Sequence, residues 1–417
     1  MSKLSDTLRE RGYVYQYSSE TLEEITDGAK RTVYLGIDPS ADSLHVGNLQ
    51  AMLVLRRFLE DGHQAILLVG GGTGMIGDPS GKSEERNLLD DATITHNAAA
   101  IRVQAEYLFG GLDFKIVNNA DWLSKLDLIT FLRDIGKHFS VNAMLQRDSV
   151  KNRLENQEEG ISYTEFSYML LQSYDFFHLH QEYGCDLQIG ASDQWGNMVS
   201  GTDLIRRKAG KQAFALSCPL LINKSTGKKF GKSESGAVWL DAAKTTPFEF
   251  YQFWFNTEDD AVEEYLLKMT MLPKSEIDDV MAQHRADPSA RIAQKRLAYE
   301  VTKLVHGEEI AHGCEKSPEI LYAKTIQEIT VDDVAILHLI KAPMCRVATG
   351  DVLVDVLVTS LVASSKREAR QFIDDGAVSL NGVRVSDAAQ ALVDGDFYNG
   401  IALLKRGKRT VAILTLS

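Results

Sequence analysis

Residues 33–48, with the sequence VYLGIDPSADSLHVGN, decide the fold. The apolar run 33–37 is typical of a short buried strand, and Asp38-Pro39 ends it. A helix is expected from about residue 44 to residue 61, and a second apolar run follows at 65–69. A strand, a helix and a strand in this order indicate a parallel sheet covered by helices.

The same alternation continues along the chain. Further strand candidates at 115–117, 186–189 and 219–222 are separated by helical stretches, so a mostly parallel α/β sheet is expected over residues 1–244. From residue 245 the strand signals stop, and helical patterning covers 245–323.

The remaining chain is expected to form a connector and a small α+β domain. The helical part opens with a capping box from Thr246 to Glu249, with proline in the first helical position. Residues 324–350 are mixed in character and are interpreted as a linker. Residues 351–417 contain eight Lys/Arg and eight Asp/Glu, and their basic residues are clustered.

Composition sets broad limits on function. A chain of 417 residues suggests two or three domains, and its net charge of -13 argues against a simple basic coat protein for nucleic acid. No apolar run approaches the roughly 20 residues that span a bilayer. The start of the chain has no apolar stretch typical of a secretory signal, and the four cysteines form no Cys-x-x-Cys pair. We therefore expect a cytoplasmic protein with scattered reduced thiols.

Polar residues cluster between the first strand and its helix, for which Asp42 or Ser43 is the candidate cap. Ligands bind at the carboxyl ends of strands in open α/β sheets, and helix amino termini attract phosphate. His45 and Asn48 share a face of the first turns, and Gly47 between them lets a ligand approach the backbone. A lone histidine near a helix start is more often a surface or cap residue, so other motifs must decide.

A glycine-rich segment follows the second apolar run. Residues 72–77 fit G-x-G-x-x-G, but Asp78-Pro79 stands where a dinucleotide site continues as a helix. Residues 81–83 resemble the end of a phosphate loop, yet Ile76 occupies the position of its required earlier glycine. Both interpretations are disfavoured. A flexible loop is expected instead, with three charged residues suited to an ammonium group and phosphates: Asp78, Lys82 and Arg86.

A polar stripe runs along a helix predicted at about 163–177, opened by Ser162 and Glu165. Its members lie at i, i+4 and i+7 on one face: Tyr168, Gln172 and Asp175. Because the other positions are largely apolar, the stripe is expected to be buried and to need partners, and a ligand is one such partner. Further polar residues follow another predicted strand, at the ligand side of the sheet: Gln188, Asp193 and Gln194.

The basic run 228–233, KKFGKS, is the last candidate. Such runs are usually solvated loops. Glycine between lysines, with serine behind, also suits a mobile clamp on a polyphosphate.

Together these motifs resemble the tyrosyl-tRNA synthetases, a family of class I aminoacyl-tRNA synthetases, over essentially the whole chain. Residues 45–48 are similar to the class I His-x-Gly-His box, and residues 229–233 to its Lys-Met-Ser-Lys-Ser box. Segments 34–39, 76–81 and 190–197, with the stripe on the helix, indicate the tyrosine branch. The resemblance implies a Rossmann-like catalytic domain, a helical domain on the anticodon side and a C-terminal RNA-binding domain.

The resemblance also implies residue roles. Tyr34 and Asp175 would hydrogen-bond the tyrosine phenol, while Tyr168, Gln172 and Asp78 hold its ammonium group. Another set would position the carboxyl group, ribose and adenylate: Gly36, Asp38, Gly47, Gln188, Asp193 and Gln194. A third set would contact the phosphates and the leaving pyrophosphate: Ser40, His45, Asn48, Lys82, Arg86, Lys229, Lys232 and Ser233.

Two positions depart from the commonest pattern of the family. Asn48 replaces the second histidine of the first box, and its amide can still donate a hydrogen bond. Ser40 replaces a threonine and keeps the hydroxyl. Catalysis would rest on orientation and charge stabilisation, with no protein nucleophile. Selectivity for tyrosine without an editing domain is a property of this family.

The implied partners are tRNA(Tyr), L-tyrosine and ATP with Mg²⁺, without a tightly bound cofactor, a protein metal site or a membrane. A homodimer is also implied. The C-terminal module resembles a small RNA-binding domain shared with a ribosomal protein, with an Asn-Gly hairpin at 376–382. Its candidate tRNA-binding residues are Lys366, Arg367, Arg370, Lys405, Arg406, Lys408 and Arg409. The alternatives are a tryptophanyl-tRNA synthetase, a synthetase-derived RNA-binding or splicing scaffold and, third, an NAD dehydrogenase.

Overall fold

A computed structural model describes residues 3–78, 80, 90–147, 150–151, 154, 161–222, 230, 232–233, 236–323, 325–407 and 410–417; for residues 232, 233 and 323 it describes the backbone alone. Two compact units result. The first comprises Met1–Asp241 and Glu258–Pro288, and the second comprises Ala242–Thr257 and Ser289–Ser417. No helix among these residues is long and apolar enough to cross a membrane.

The first unit is built on a six-stranded sheet with the order β1-β6-β5-β2-β3-β4. Its strands are β1 Gln16–Tyr17, β2 Thr32–Ile37, β3 Gln64–Val69, β4 Lys115–Asn118, β5 Cys185–Ala191 and β6 Phe214–Cys218. β1 is antiparallel to β6, and the other neighbours are parallel. A separate two-stranded ribbon contains β7 Lys232–Ser233 and β8 Gly236–Ala237.

The strand order reverses between β2 and β5, and this crevice is where an open α/β sheet binds ligands. In register, Tyr34 of β2 lies opposite Ile66 of β3 on one side and Gln188 of β5 on the other. Val33 and Leu35 are buried, as the near-continuous apolar run of a central parallel strand predicts. The predicted mostly parallel α/β sheet is confirmed.

Helices connect these strands. The described helices of the first unit are Leu4–Glu10, Leu22–Thr26, Val46–Glu60, Gly71–Gly74, Asp91–Leu108, Ala120–Leu123, Leu128–Asp134, Val141–Leu145, Tyr163–Tyr183, Trp195–Ala209, Val262–Met269 and Lys274–Ala286. Ser162 caps the helix Tyr163–Tyr183 by accepting from the Glu165 N–H, as predicted. This helix ends at Gly184 in the left-handed conformation, where glycine is favoured (φ 63°).

Three local predictions are wrong. The helix Val46–Glu60 is capped by His45, because the Ser43 hydroxyl instead donates to the Leu44 carbonyl. The strand expected at 219–222 lies earlier, as β6, because Pro219 has no N–H for the ladder. The glycine-rich segment opens with a helical turn, Gly71–Gly74.

The segment Glu258–Pro288 joins the first unit through buried polar contacts. The Arg11 guanidinium donates to the carbonyls of Leu267 (2.7 Å) and Thr270 (2.9 Å), and the Tyr13 hydroxyl donates to that of Lys268 (2.8 Å). These bonds satisfy carbonyls at the end of the helix Val262–Met269, which otherwise lack partners. The unit boundary therefore differs from the predicted boundary at residue 245.

The second unit begins with helices and ends in a small sheet. Its described helices are Pro247–Phe255, Ile292–His306, Glu308–Pro318, Val331–Leu339, Leu353–Thr359 and Lys366–Asp374. Thr246 and Glu249 form the predicted capping box. The five-stranded sheet has the order β11-β10-β12-β13-β9. Its strands are β9 Met344–Val347, β10 Val378–Leu380, β11 Val383–Arg384, β12 Ile401–Arg406 and β13 Thr410–Leu416.

The C-terminal sheet includes part of the predicted linker. β9 pairs in parallel with β13, so the sheet begins before residue 351. The predicted hairpin is present between β10 and β11, with Asn381 (φ 54°) and Gly382 (φ 84°) in its turn. Positive φ at both central residues is what a type I′ turn requires.

Candidate active site

A cavity of about 620 Å³ opens at the β2–β5 crevice of the first unit. Gly36 and Asp38 reach it from the end of β2, and Gln188 reaches it from β5. Described residues that the sequence singled out also line it: Tyr34, Ser40, His45, Gly47, Asn48, Asp78, Tyr168, Gln172, Asp175, Asp193 and Gln194. Four separate segments of the chain are thus brought to one place, as the motif pattern predicted.

Two buried polar side chains, Tyr34 and Asp175, line the part of the cavity that we call its floor. Tyr34 is 1% exposed, and its ring packs edge-on against Phe176 with centroids 5.1 Å apart. No described residue hydrogen-bonds the Tyr34 hydroxyl. Burial, and then the charge of Asp175, raises the pKa of Tyr34 well above its ordinary value. A neutral phenol with unused hydrogen-bonding capacity therefore faces the cavity.

Asp175 is held from behind by two donors. Its Oδ1 accepts from the Trp122 indole N–H at 2.7 Å, and its Oδ2 accepts from Asn119 Nδ2 at 2.9 Å. Burial raises the pKa of Asp175 to about 7, although both hydrogen bonds act to lower it. The carboxyl group is thus oriented by the protein and sits near its ionisation midpoint at neutral pH.

A second network fixes Asp38 at the end of β2. Its Oδ1 accepts from the Thr73 hydroxyl (2.8 Å), and its Oδ2 accepts from the Tyr168 hydroxyl (2.9 Å). Asn119 also donates to Thr73 (3.0 Å), which links this network to Asp175. Gly70 packs against Asp38, since a Cβ there would lie 2.1 Å from its carboxylate. Glycine is therefore required at residue 70.

A third network surrounds Asp78. Its Oδ2 accepts from Gln194 Nε2 at 2.6 Å, and its Oδ1 accepts from the Ser80 N–H at 2.9 Å. Gln172 accepts from Asn197 Nδ2 at 2.9 Å. All three members of the polar stripe therefore have partners within the protein. Asp78, beside the stripe in the cavity lining, is a carboxylate suited to an ammonium group. Gln188 is buried, and no described residue bonds its Oε1.

Another part of the cavity wall is formed by the start of the helix Val46–Glu60. The Nδ1 atom of His45 accepts from the Gly47 N–H (3.0 Å), and Asn48 Oδ1 accepts from the His45 N–H (3.1 Å). The Asn48 carbonyl oxygen thus completes the cap, which leaves its amide group to donate, as expected. A Cβ on Gly47 would meet the His45 ring at 2.8 Å, so glycine is needed here.

Several predicted residues cannot be placed. Lys82, Arg86, Lys229, Lys408 and Arg409 lie outside the described residues, and Lys232 and Ser233 are described by backbone alone. Among the described residues, no group of three or more His, Cys, Asp or Glu side chains could hold a metal ion.

Sequence reasoning missed three residues of these networks: Thr73, Asn119 and Trp122. One signal could have found Asn119. It directly follows β4, whose carboxyl end lies at the same edge of the sheet as those of β2 and β3. The hydrogen bond from Trp122 had no local signal, because it depends on where the next helical turn packs.

The described members of the predicted tRNA-binding set lie on one helix and one strand of the second unit. Lys366, Arg367 and Arg370 lie on the helix Lys366–Asp374, and Lys366 forms an exposed ion pair with Asp355 at 2.6 Å. The Arg406 guanidinium lies 4.6 Å from the ring centroid of Phe372, which is on the same helix. Burial lowers the pKa of the neighbouring Lys405.

The comparisons with known proteins agree with this geometry. The family model described as tRNA synthetases class I (W and Y) matches residues 26–323, well over half of the chain. The chain belongs to this class I synthetase family. A second model, described as the tyrosine–tRNA ligase SYY-like C-terminal domain, matches residues 337–414 of this synthetase.

Relatives resemble this synthetase over its full length. It is 44% identical to a tyrosine–tRNA ligase of Roseiflexus castenholzii, with 100% of both chains covered. It is 47% identical to one of Bacillus caldotenax, over 96% of this chain and 97% of the relative. The C-terminally truncated mitochondrial tyrosyl-tRNA synthetase of Aspergillus nidulans has a TM-score of 0.69 at 31% identity, covering 77% of this chain and 95% of that one.

Proposed function

We propose that this synthetase is a tyrosine–tRNA ligase. It activates L-tyrosine with ATP to tyrosyl-adenylate and pyrophosphate, then transfers the tyrosyl group to the 3′-terminal ribose of tRNA(Tyr). The observation that carries this proposal is the buried Tyr34 hydroxyl, which has no described partner and lies near Asp175 at the cavity floor. A ligand hydroxyl between them gives the Tyr34 hydroxyl a partner and Asp175 a further donor, whereas a phenylalanine ring leaves the Tyr34 hydroxyl unpaired.

The tyrosine ligand is assigned to the floor and the polar stripe. Tyr34 and Asp175 bind its phenol, while Tyr168, Gln172 and Asp78 bind its ammonium group. Existing hydrogen bonds support this assignment. Asp38 fixes the Tyr168 hydroxyl and Gln194 fixes the Asp78 carboxylate, so both groups are in place before the ligand arrives. Preorganised groups cost less to order on binding.

The nucleotide is assigned to the rest of the cavity. Gly36, Asp38 and Gln188, with Gly47, Asp193 and Gln194, position the carboxyl group, the ribose and the adenylate. Ser40, His45 and Asn48 contact the phosphates at the helix start, where free N–H groups favour anions. The cations Lys82, Arg86, Lys229 and Lys232, with Ser233, are assigned to the leaving pyrophosphate.

Chemistry follows from this arrangement. A carboxylate oxygen of tyrosine attacks the α-phosphorus of ATP, and the bond from that phosphorus to the bridging oxygen breaks as pyrophosphate leaves. The protein supplies orientation and charge stabilisation, and no side chain forms a covalent bond. Mg²⁺ arrives with ATP as part of the substrate.

The second unit is assigned to tRNA, with its helical residues 245–257 and 289–323 facing the anticodon side and residues 351–417 binding RNA. The clustered cations of the helix Lys366–Asp374 and of β12, with Lys408 and Arg409, provide phosphate contacts. Arg406 packed on Phe372 supports one continuous basic surface. Folded RNA is recognised largely through its shape and backbone, which suits this surface.

We also propose a homodimer in the cytoplasm. The first unit exposes large apolar side chains on two helices that follow each other in the sequence, with Leu128 and Ile129 both 68% exposed and Val141 57% exposed. Large exposed apolar side chains are candidates for an association surface, and an isologous dimer buries the same surface on both subunits. Sedimentation of the wild type and of Ile129→Asp tests the dimer, which the introduced charge should dissociate.

The cysteines support the assignment to the cytoplasm. All four are unpaired, and a reducing compartment keeps thiols in this form.

The test of the activity is ATP–pyrophosphate exchange, run separately with tyrosine, tryptophan and phenylalanine. Exchange with tyrosine alone, followed by charging of tRNA(Tyr), supports the proposal. Exchange with tryptophan would overturn the specificity, and RNA binding without any exchange would assign the chain to a non-catalytic scaffold.

A further inference from the structure

Phe230, in the middle of the basic motif, contacts a part of the chain that no motif marks. Its ring centroid lies 4.6 Å from that of Tyr265, with the planes at 43°. Both rings are buried, with Phe230 8% and Tyr265 5% exposed. An aromatic pair at this separation is within the favourable range for ring contacts. The ring of Phe230 is therefore held by an aromatic partner from a distant part of the first unit.

Phe230 also forms part of the cavity wall. It lines the cavity with Gly47 and Trp239, and its carbonyl oxygen would lie 3.3 Å from a Cβ on Gly47. Its N–H donates to the Leu221 carbonyl at 2.9 Å. The position of Phe230 thus determines how closely its backbone approaches the start of the helix Val46–Glu60 at Gly47.

The chain after Phe230 fixes the same wall by backbone pairing. The Val46 N–H donates to the Val238 carbonyl (3.0 Å), and the Leu240 N–H donates to the Leu44 carbonyl (2.8 Å). His45 and Trp239 face each other across this bridge, with ring centroids 6.0 Å apart. Segments on both sides of Phe230 are therefore tied to the cavity, and Tyr265 contacts the side chain between them.

Tyr265 itself is rigidly supported. It lies on the helix Val262–Met269, where Val262, Leu266 and Met269 are fully buried. Arg11 and Tyr13 hold the carboxyl end of this helix by the carbonyl bonds described above. A buried ring on a fixed helix is a suitable support for a neighbouring catalytic segment.

We propose that Tyr265 is a positioning residue for adenylate formation, acting through Phe230. Its ring fixes Phe230, and thereby the part of the cavity wall that Phe230 forms beside Gly47. The inference rests on the proposed function, because this wall matters to the reaction only if ATP binds beside it. Tyr265 does not line the cavity itself, and the helix start beside Phe230 is assigned to the phosphates, so the effect is expected in the nucleotide half of the reaction.

The test uses Tyr265→Leu, which removes the ring, and Tyr265→Phe, which keeps it. Phe114→Leu is the matched control, since Phe114 forms an aromatic pair with Phe109 at 4.6 Å and does not line the cavity. Three quantities are measured on the full-length protein: kcat/KM for ATP in tyrosine-dependent exchange, the Kd of tyrosine by calorimetry, and Tm. We expect Tyr265→Leu to lower kcat/KM for ATP about 2- to 12-fold, the equivalent of one aromatic pair, with the tyrosine Kd unchanged. Tyr265→Phe and Phe114→Leu should retain the wild-type value.

Equal losses in Tyr265→Leu and Phe114→Leu, or parallel weakening of tyrosine binding, would overturn the proposal. Phe230→Leu probes the same contact from the other ring if Tyr265→Leu does not fold. In the double variant the two effects should be less than additive, and full additivity would also overturn it. Absence of exchange by the wild type would instead refute the proposed function.

Discussion

The indole N–H of Trp122 donates to Asp175 at 2.7 Å, and this bond sets the orientation of the carboxylate assigned to the substrate phenol. Trp122 is itself stacked on His178, with ring centroids 4.3 Å apart. The orientation of Asp175 therefore depends on a residue outside the family motifs.

We expect Trp122→Phe to weaken tyrosine binding by at least about tenfold, the lower end of the range for a hydrogen bond to a charged group. The substitution keeps a ring beside His178 but removes one of two donors to a buried carboxylate, and a hydrogen bond to a charged group contributes about 1.5–3 kcal/mol. Calorimetric titration with tyrosine measures the change. An unchanged Kd in a protein of normal Tm would show that Asn119 alone orients Asp175.

Tyrosine binding should depend on pH around neutrality. Because burial raises the pKa of Asp175 to about 7, the carboxyl group is largely neutral below pH 7 and ionised above it. The ionised form accepts the stronger hydrogen bond from a phenol, so the Kd of tyrosine should fall as pH rises from about 6 to 8. Asp175→Asn should bind tyrosine more weakly and lose this dependence, and a pH profile shared by both proteins would contradict the assignment.

The same pKa has the opposite effect on the ligand-free fold. The folded protein binds the Asp175 proton more tightly than the unfolded chain, whose aspartates have their ordinary pKa near 3.8. This contribution to the free energy of unfolding therefore decreases as pH rises from about 4 to about 7. Asp175→Asn should remove that contribution, which denaturant unfolding at several pH values measures.

The strands, the polar stripe and the C-terminal hairpin could be predicted because their signals are local. Three residues at i, i+4 and i+7 share a helix face wherever the helix packs, and an Asn-Gly pair favours its turn whatever surrounds it. The partners of the stripe could not be predicted in this way. Asn119 reaches Asp175 across 56 positions only because β4 joins the sheet beside β3.

Other differences have similar nonlocal causes. Ser43 has the residue type of a helix cap, but its hydroxyl accepts from Gln104, a residue of another helix, and His45 becomes the cap. The helix around Tyr265 reads as part of the helical domain, yet Arg11 at the start of the chain fixes it to the first unit. Gln104 and Arg11 are both far in sequence from the residues they contact, so a local sequence pattern could not predict either contact.

Tyr34→Phe should reduce the preference for tyrosine without harming the fold. The ring contact with Phe176 is retained, and the hydroxyl that is lost has no described partner, so Tm should be unchanged or higher. A neutral hydrogen bond contributes about 0.5–1.5 kcal/mol, so kcat/KM for tyrosine should fall roughly 2- to 12-fold, while the value for phenylalanine stays the same. Exchange assays with both amino acids measure the ratio. An unaltered ratio would place the phenol elsewhere in the cavity.

Lys366→Ala should weaken tRNA charging and spare adenylate formation. Lys366 is exposed on the basic helix of the second unit, whereas the cavity belongs to the first. Loss of one phosphate contact should raise KM for tRNA. It should also reduce the slope of log KM against log salt concentration by about one. Lys303→Ala is the matched control, since Lys303 is another exposed, ion-paired lysine of the same unit and lies outside the cluster. Aminoacylation at several salt concentrations, set beside pyrophosphate exchange, separates the two steps. Equal loss in both assays would contradict the assignment of the two units, and equal effects of both substitutions would show a general charge effect with no RNA site at the basic helix.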